Sequence, residues 1–353
     1  MKRGKLLLDV GAVEQALVVG LSALLMLALA GCDKGTSSSV AQPANVTFDI
    51  SPDGKQIAFS SEAGDLFLLE LSTQRVSQLT ESATLETAPS FAPDGKSIVY
   101  CCAEPDRQAG HLFRISLDGA HCQQLTTESG VFDSIPTYSS DGRQIAFARA
   151  HRHRPYSMGG WTWDDWDVYR MDADGGDVTR LTHSNYYGIG GIALPASGDS
   201  ILFSAENNRA TSDLQTNVFE VATGGTTPPK PAVRQPSTPN KCATWASDPN
   251  CSRGDEKIVC ISDRGAPYAY DLVVIDGKSG DATSLNATSV SRYNQHPVFA
   301  PDSRRIFFLA ARAYNRQSRP IFSLWSIDVD GKNAKEIAGS QLFTDPMKWS
   351  PSK

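Results

Sequence analysis

Six copies of one pattern run through this 353-residue chain, and they constrain its fold more than any other feature. FDISPDGKQIAF (48–59) returns as SFAPDGKSIVY (90–100), TYSSDGRQIAF (137–147), LPASGDSILF (194–203) and VFAPDSRRIFF (298–308). A degraded copy with an inserted loop is TWASDPNCSRGDEKIVC (244–260). Each copy is followed by a second signature, such as DLFLLEL at 65, HLFRISLDG at 111, DVYRMDADG at 167 and SLWSIDVDG at 323. Short closing segments, RVSQLT, CQQLT and VTRLT, come next. One unit therefore reads strand A, Asp-Gly turn, strand B, connection, strand C, second turn, strand D. Apolar and polar positions alternate along the strands, and Asp-Gly supplies the positive φ of a tight hairpin. Turn-to-turn spacings of roughly 41 to 57 residues lie in the range of propeller blades. The expected fold is all-β, a six-bladed β-propeller of four-stranded antiparallel blades, with seven blades as the alternative. TDPMKWSPSK at 344–353 reads as the start of another strand A, lying beside the first blade and tying the ends of the ring.

The repeats resemble those of the TolB-type, WD-like propeller family, and the resemblance covers nearly all of residues 46–353. It implies the fold strongly and the function weakly. Proteins of the full TolB type carry an α/β domain before the propeller and are periplasmic partners of a peptidoglycan-associated lipoprotein. Here about a dozen residues separate the leader from the first repeat, so the expectation is a propeller without that domain.

The leader is read separately. Lys2, Arg3 and Lys5 form a basic start, and ALVVGLSALLMLALA (16–30) has the length of a signal-peptide apolar region, short of the roughly 20 residues of a spanning helix. It ends in Leu29-Ala30-Gly31-Cys32, which resembles a bacterial lipobox with Cys32 as the lipidation site. An uncleaved anchor helix is the alternative. The expected domains are a lipoprotein signal peptide at 1–31, a flexible tether at 32–45 and the propeller at 46–353. Localisation follows as the bacterial cell envelope, lipid-anchored through its N-terminus. Asp33 after the cysteine resembles an inner-membrane retention signal, which would place the protein on the periplasmic face of the inner membrane.

A net charge of −6 with 20% charged residues gives no basis for nucleic-acid binding. Beyond Cys32, six cysteines remain at 101, 102, 122, 242, 251 and 260. Their two clusters allow local disulfides in an oxidising compartment, without fixing a connectivity.

In a four-stranded blade the B–C and D–A connections share one rim, and most of the long connections fall there. The longest is RAHRHRPYSMGGWTWDD (149–165). Arg149, Arg152 and Arg154 suit carboxylate or phosphate, Tyr156, Trp161 and Trp163 offer flat faces, and His151 and His153 lie between them. Arg312, Tyr314, Arg316 and Arg319 form a similar arm in the last repeat. The competing reading is a self-packed connection whose arginines pair with Asp164 and Asp165.

DADGGD (172–177) and DVDGKN (328–333) read as hairpin turns in preference to calcium loops. His151, His153, His183 and His296 match no known metal-ligand spacing. No cofactor is expected, no G-x-S-x-G elbow occurs, and a monomer is expected. The leading expectation is an envelope binding or scaffold module for a protein or an acidic glycan. The alternative is a metal-dependent lyase or hydrolase acting on acidic oligosaccharides.

Overall fold

The computed structural model describes residues 46–155, 161–206, 216–225, 228–232, 246–254, 256–262, 270–291, 293–311 and 321–351. Alternating apolar positions between glycine or Asx turns produce strands in consecutive antiparallel groups of four. Blade 1 holds β1 (Phe48–Ile50), β2 (Gln56–Ser60), β3 (Leu66–Glu70) and β4 (Arg75–Gln78). Blade 2 holds β5 (Leu85–Phe91), β6 (Ser97–Ala103), β7 (Gly110–Ser116) and β8 (Cys122–Gln124). Blade 3 holds β9 (Phe132–Tyr138), β10 (Gln144–Pro155), β11 (Trp161–Asp172) and β12 (Thr179–Arg180). Blade 4 holds β13 (Gly188–Ala193), β14 (Ser200–Glu206), β15 (Thr216–Ala222) and β16 (Lys230–Pro231). Blade 5 holds β17 (Ala246–Cys251), β18 (Lys257–Ser262), β19 (Asp271–Asp276) and β20 (Ala282–Ser284). Blade 6 holds β21 (Tyr293–Phe299), β22 (Arg305–Ala311), β23 (Phe322–Asp328) and β24 (Lys335–Ala338).

Strand alternation places successive side chains on opposite faces of each blade, so every blade has two apolar faces to cover. On β2, Ile57 and Phe59 pack toward blade 6, whereas Ala58 packs toward blade 1's other neighbour, blade 2. On β10, Ile145 and Phe147 face blade 2, and Ala146 and Ala148 face blade 4. The result is one hydrophobic cluster in each seam, including the seam where Phe48 and Phe59 of blade 1 join Leu309 and Leu324 of blade 6. Blade 6 therefore closes back on blade 1, and the strands form a ring with each blade's first strand innermost.

The Asp-Gly turns have the expected geometry. Gly54, Gly95 and Gly142 sit at φ +71°, +69° and +71°. Gly175 and Gly331 give the two DxDG segments their hairpin turns, at φ +97° and +82°. Gly110 answers a different need: it pairs in parallel with Phe132, and a Cβ there would lie 2.8 Å from the Phe132 ring.

Two expectations are corrected. Residues 344–351 form no strand: a short helix, α1 (Gln341–Thr344), leads into a 3₁₀ turn at Pro346–Lys348. Pro346 lacks a ladder donor and favours the first position of a helical turn. The segment still lies against blade 1. Phe343 meets Phe59 edge-on at 5.6 Å, and its carbonyl accepts from the Glu62 N–H at 2.9 Å.

The cysteines at 101–122 do not pair. Cys101, Cys102 and Cys122 are free thiols. Cys101 and Cys102 point to opposite faces of β6, and Cys122 lies on β8 with β7 between. Two strand spacings, about 9–10 Å, exceed the roughly 7 Å a disulfide spans. Cys32 and Cys242 lie outside the described residues. Among the described residues no helix is long and apolar enough to cross a membrane.

Candidate functional site

The connection at 149–165 is a hairpin extension and not an irregular loop. β10 and β11 run 12 residues each, where β6 and β7 run 7. Pairing continues beyond the body of the sheet through Arg152↔Asp164, His153↔Trp163, Arg154↔Thr162 and Pro155↔Trp161. Opposite charges and aromatic groups thus stand directly across from one another, the pairs that stabilise antiparallel ladders. Sequence reading took the stretch for a loop because its polar and aromatic residues do not alternate in hydrophobicity.

Arg149 lies at the base of this hairpin, with a side chain only 3% exposed. Its Nε and Nη2 donate to both carboxylate oxygens of Asp133 at 2.6 and 3.0 Å, and Nη1 donates to Glu128. The guanidinium also lies 5.0 Å from the Tyr169 ring centre. Burial lowers an arginine's proton affinity, but the Asp133 bonds more than offset it and leave the pKa raised. Arg149 is thus an ion-pair residue with a buried side chain.

Arg152 and Arg154 converge on one acid. Both donate to Asp164 Oδ2, at 2.9 and 2.5 Å, and Arg152 also meets Asp165 at 2.9 Å. The Asp164 carboxylate is fully buried by these cations. The self-paired reading therefore describes these arginines.

The aromatic residues occupy the hairpin's other face. His153 stacks on Trp163, centroids 4.8 Å apart at 23°, and lies tilted against Trp161 at 5.0 Å and 31°. Trp163 is anchored: its Nε1 donates to the Arg107 carbonyl at 2.8 Å, and its ring packs on Phe132. Trp161 is 56% exposed at the outer end of the stack. His151 shares a 2.8 Å hydrogen bond with the Tyr169 hydroxyl. Burial, and then Arg180, lower its pKa.

Tyr156, Arg312, Tyr314, Arg316 and Arg319 lie outside the described residues. His183 is exposed, and His296 lies on β21 at the ring's inner edge. Among the described residues no group of three or more His, Cys, Asp or Glu side chains could hold a metal.

Sequence reading found the inner strands but missed the bulges in them. Ala88, Ile135, Asp248 and His296 hold left-handed φ of 50–54°, and each immediately precedes a proline. At each, the register between strands A and B shifts. A proline recurring inside strand A was the available signal, since proline in a strand marks an edge or a bulge. These bulges carry a polar belt from blade to blade. The Ala88 N–H donates to Thr47 Oγ1 at 2.8 Å, Phe91 N–H to Asp49 at 2.8 Å and His296 N–H to Asp248 at 3.3 Å. Burial pushes the Asp49 carboxyl up to about 6, against the pull of the Phe91 and Ile50 amides.

A family model described as the TolB beta propeller domain matches residues 42–242. A dipeptidyl-peptidase 5 of Porphyromonas endodontalis is 35% identical over 80 residues, covering 19% of this chain and 12% of that protein. Among solved structures, TolB from Acinetobacter baumannii superposes with a TM-score of 0.58 at 18% identity, over 82% of this chain and 62% of that one. An oligogalacturonate lyase in complex with manganese gives 0.58 at 15% identity, over 84% and 78%. The chain thus spans less than two thirds of the peptidase and of the Acinetobacter protein, and at these identities the structural likeness is one of fold.

Proposed function

Because the chain belongs to the TolB beta propeller domain family, we propose that it is a binding module of the bacterial cell envelope, a rigid ring presenting the blade 3 hairpin to a protein partner. The observation that carries this reading is Trp161. It is a large aromatic group, 56% exposed, yet held against His153 on a ladder that pairs out to Pro155↔Trp161. A pre-ordered tryptophan projecting from a scaffold is the kind of group that anchors a protein interface. The arginines give less support to an acidic glycan, because Arg149, Arg152 and Arg154 are already engaged by Asp133, Glu128, Asp164 and Asp165. The likeness to an oligogalacturonate lyase is one of fold and brings no catalytic residue to this chain.

Attachment to the membrane through acyl groups on Cys32 completes the proposal, supported by the Leu29-Ala30-Gly31-Cys32 sequence. Incorporation of labelled palmitate, abolished by Cys32→Ser, tests it.

The partner surface is tested with a photo-crosslinking amino acid in place of Trp161, against the same group in place of Val178. Val178 is 42% exposed and belongs to the C–D connection on the opposite rim. A discrete crosslinked species from position 161 alone supports the hairpin as the contact. Equal products from both positions, or none from 161, count against it.

A further inference from the structure

The seam between blades 4 and 5 differs from the others. Its cluster consists of Ala193, Leu202, Val218, Ala246, Cys260, Val273 and Ile275. Among the described residues it alone holds no aromatic ring, whereas the remaining seams contain Phe or Tyr. Dispersion contacts scale with the atoms packed, so this seam has the least apolar cohesion.

The same seam holds two carboxyl groups that no cation among the described residues meets. Glu206 ends β14 on the face shared with Leu202 and Ser204, and is 3% exposed. Its Oε2 has no hydrogen-bond partner, and neither has the Oγ1 of Thr216, the residue directly across the ladder. On the facing strand, Asp248 donates its N–H to Ser204 Oγ at 3.3 Å and accepts the His296 N–H. The blade 4 backbone comes very close here: a Cβ on Gly191 would lie 2.9 Å from Asp248 Cα.

We propose that this seam is a proton-operated latch, closed while Glu206 and Asp248 are neutral and loosened when they ionise. A buried neutral carboxyl is tolerable, but a buried carboxylate without a cation or a full set of donors is costly. Among the described residues the surrounding strands offer little compensation. β13 has no titratable group, and Glu220 on β15 is paired with Lys230. β17 adds Cys251, β18 adds Lys257 and Cys260, and β21 adds Tyr293 and His296. On β19, Asp276 sits in the exposed turn and Asp271 is held by the Ser284 hydroxyl and the Leu272 amide. Burial pushes both latch carboxyls up to about 7, against the pull of the His296 amide in the case of Asp248. A raised acid stabilises the folded state below the ordinary carboxylate range, and that contribution is lost as pH rises through about 7. Glu206 stands where β14 enters its B–C connection, so loosening alters the rim that also carries the blade 3 hairpin.

Hydrogen exchange on the whole protein tests the latch. After correction for intrinsic exchange, amide protection in β14 and β17 is expected to fall at least about tenfold between about pH 5.5 and about pH 8, with β2 and β6 unchanged. Glu206→Gln and Asp248→Asn should each reduce that fall, and together abolish it. Should one variant not fold, the other carries the test, because Asn is tolerated at left-handed φ and Gln matches Glu in shape. An undiminished fall in the variants, an equal fall at β2 and β6, or no fall in the wild type would overturn the proposal.

Discussion

His296 Nε2 lies 2.8 Å from the carbonyl oxygen of Phe48, joining residues 248 positions apart in the chain. The two rings also meet edge-on at 5.2 Å. This contact links the last inner strand to the first, above the apolar cluster that fills the same seam. It makes the closing seam directional: a hydrophobic cluster alone would allow β21 to slide along β1, whereas a hydrogen bond fixes their register.

Replacing His296 tests that role. His296→Asn keeps a side chain suited to φ +54° but shortens the reach to Phe48, and is expected to destabilise by about 1–3 kcal/mol in urea unfolding at pH 7. Burial lowers the His296 pKa below its ordinary 6.5. The fold therefore favours the neutral ring, and this contribution is full above pH 6.5 and lost as pH falls through and below that value. The stability gap between wild type and variant should narrow from pH 7 toward about pH 5. A gap independent of pH would show that burial of the neutral imidazole is not what is lost.

Arg149 and Asp133 form the most buried ion pair among those described, at 3% and 0% exposure. Arg149→Met leaves Asp133 without its partner in the blade 3 interior and should cost about 3–5 kcal/mol. Adding Asp133→Leu should recover much of that, since the isolated charge is then removed. Denaturant midpoints of the two single variants and the double variant measure the coupling. Additive losses would mean the pair acts as two independent residues.

Two tryptophans of one hairpin should separate binding from stability. Trp161→Ala removes a ring that is mostly in water and should change stability by less than about 0.5 kcal/mol while abolishing partner contact. Trp163→Ala removes the Phe132 contact and the hydrogen bond to Arg107, and should cost about 2–4 kcal/mol. Thermal unfolding beside crosslinking yield distinguishes them.

The repeat was legible because its turns and alternation are local: SPDGKQIAF states both the hairpin and the buried face within nine residues. The length of the blade 3 hairpin was not, because Arg152, Arg154 and Asp164 become strand residues through pairing with one another, and their spacing carries no hydrophobic period. Nor was the isolation of Glu206, which depends on what blade 5 fails to place opposite it. Asp133 and Arg149 were visible as charges, but only the register of β9 against β10 makes them partners.

The closing LT dipeptides were read as strand ends, and the structure gives their threonines a defined task. Thr80, Thr126 and Thr182 each accept through Oγ1 from the N–H of Leu66, Leu112 and Val168, always 14 residues earlier, at 2.8, 2.9 and 2.9 Å. The hydroxyl satisfies a strand C amide just beyond the reach of the short D strand. Thr126, 3% exposed, is the clearest case. Thr126→Val keeps the shape but orphans the buried Leu112 N–H, and should cost about 1–3 kcal/mol. Thr126→Ser restores the acceptor and should recover most of that stability. Thr182→Val should cost more, because the Thr182 hydroxyl also donates to the buried Asp167 carboxylate. Urea midpoints of the three variants decide the point: if Thr126→Ser is as unstable as Thr126→Val, the methyl group and not the hydroxyl explains why threonine stands there.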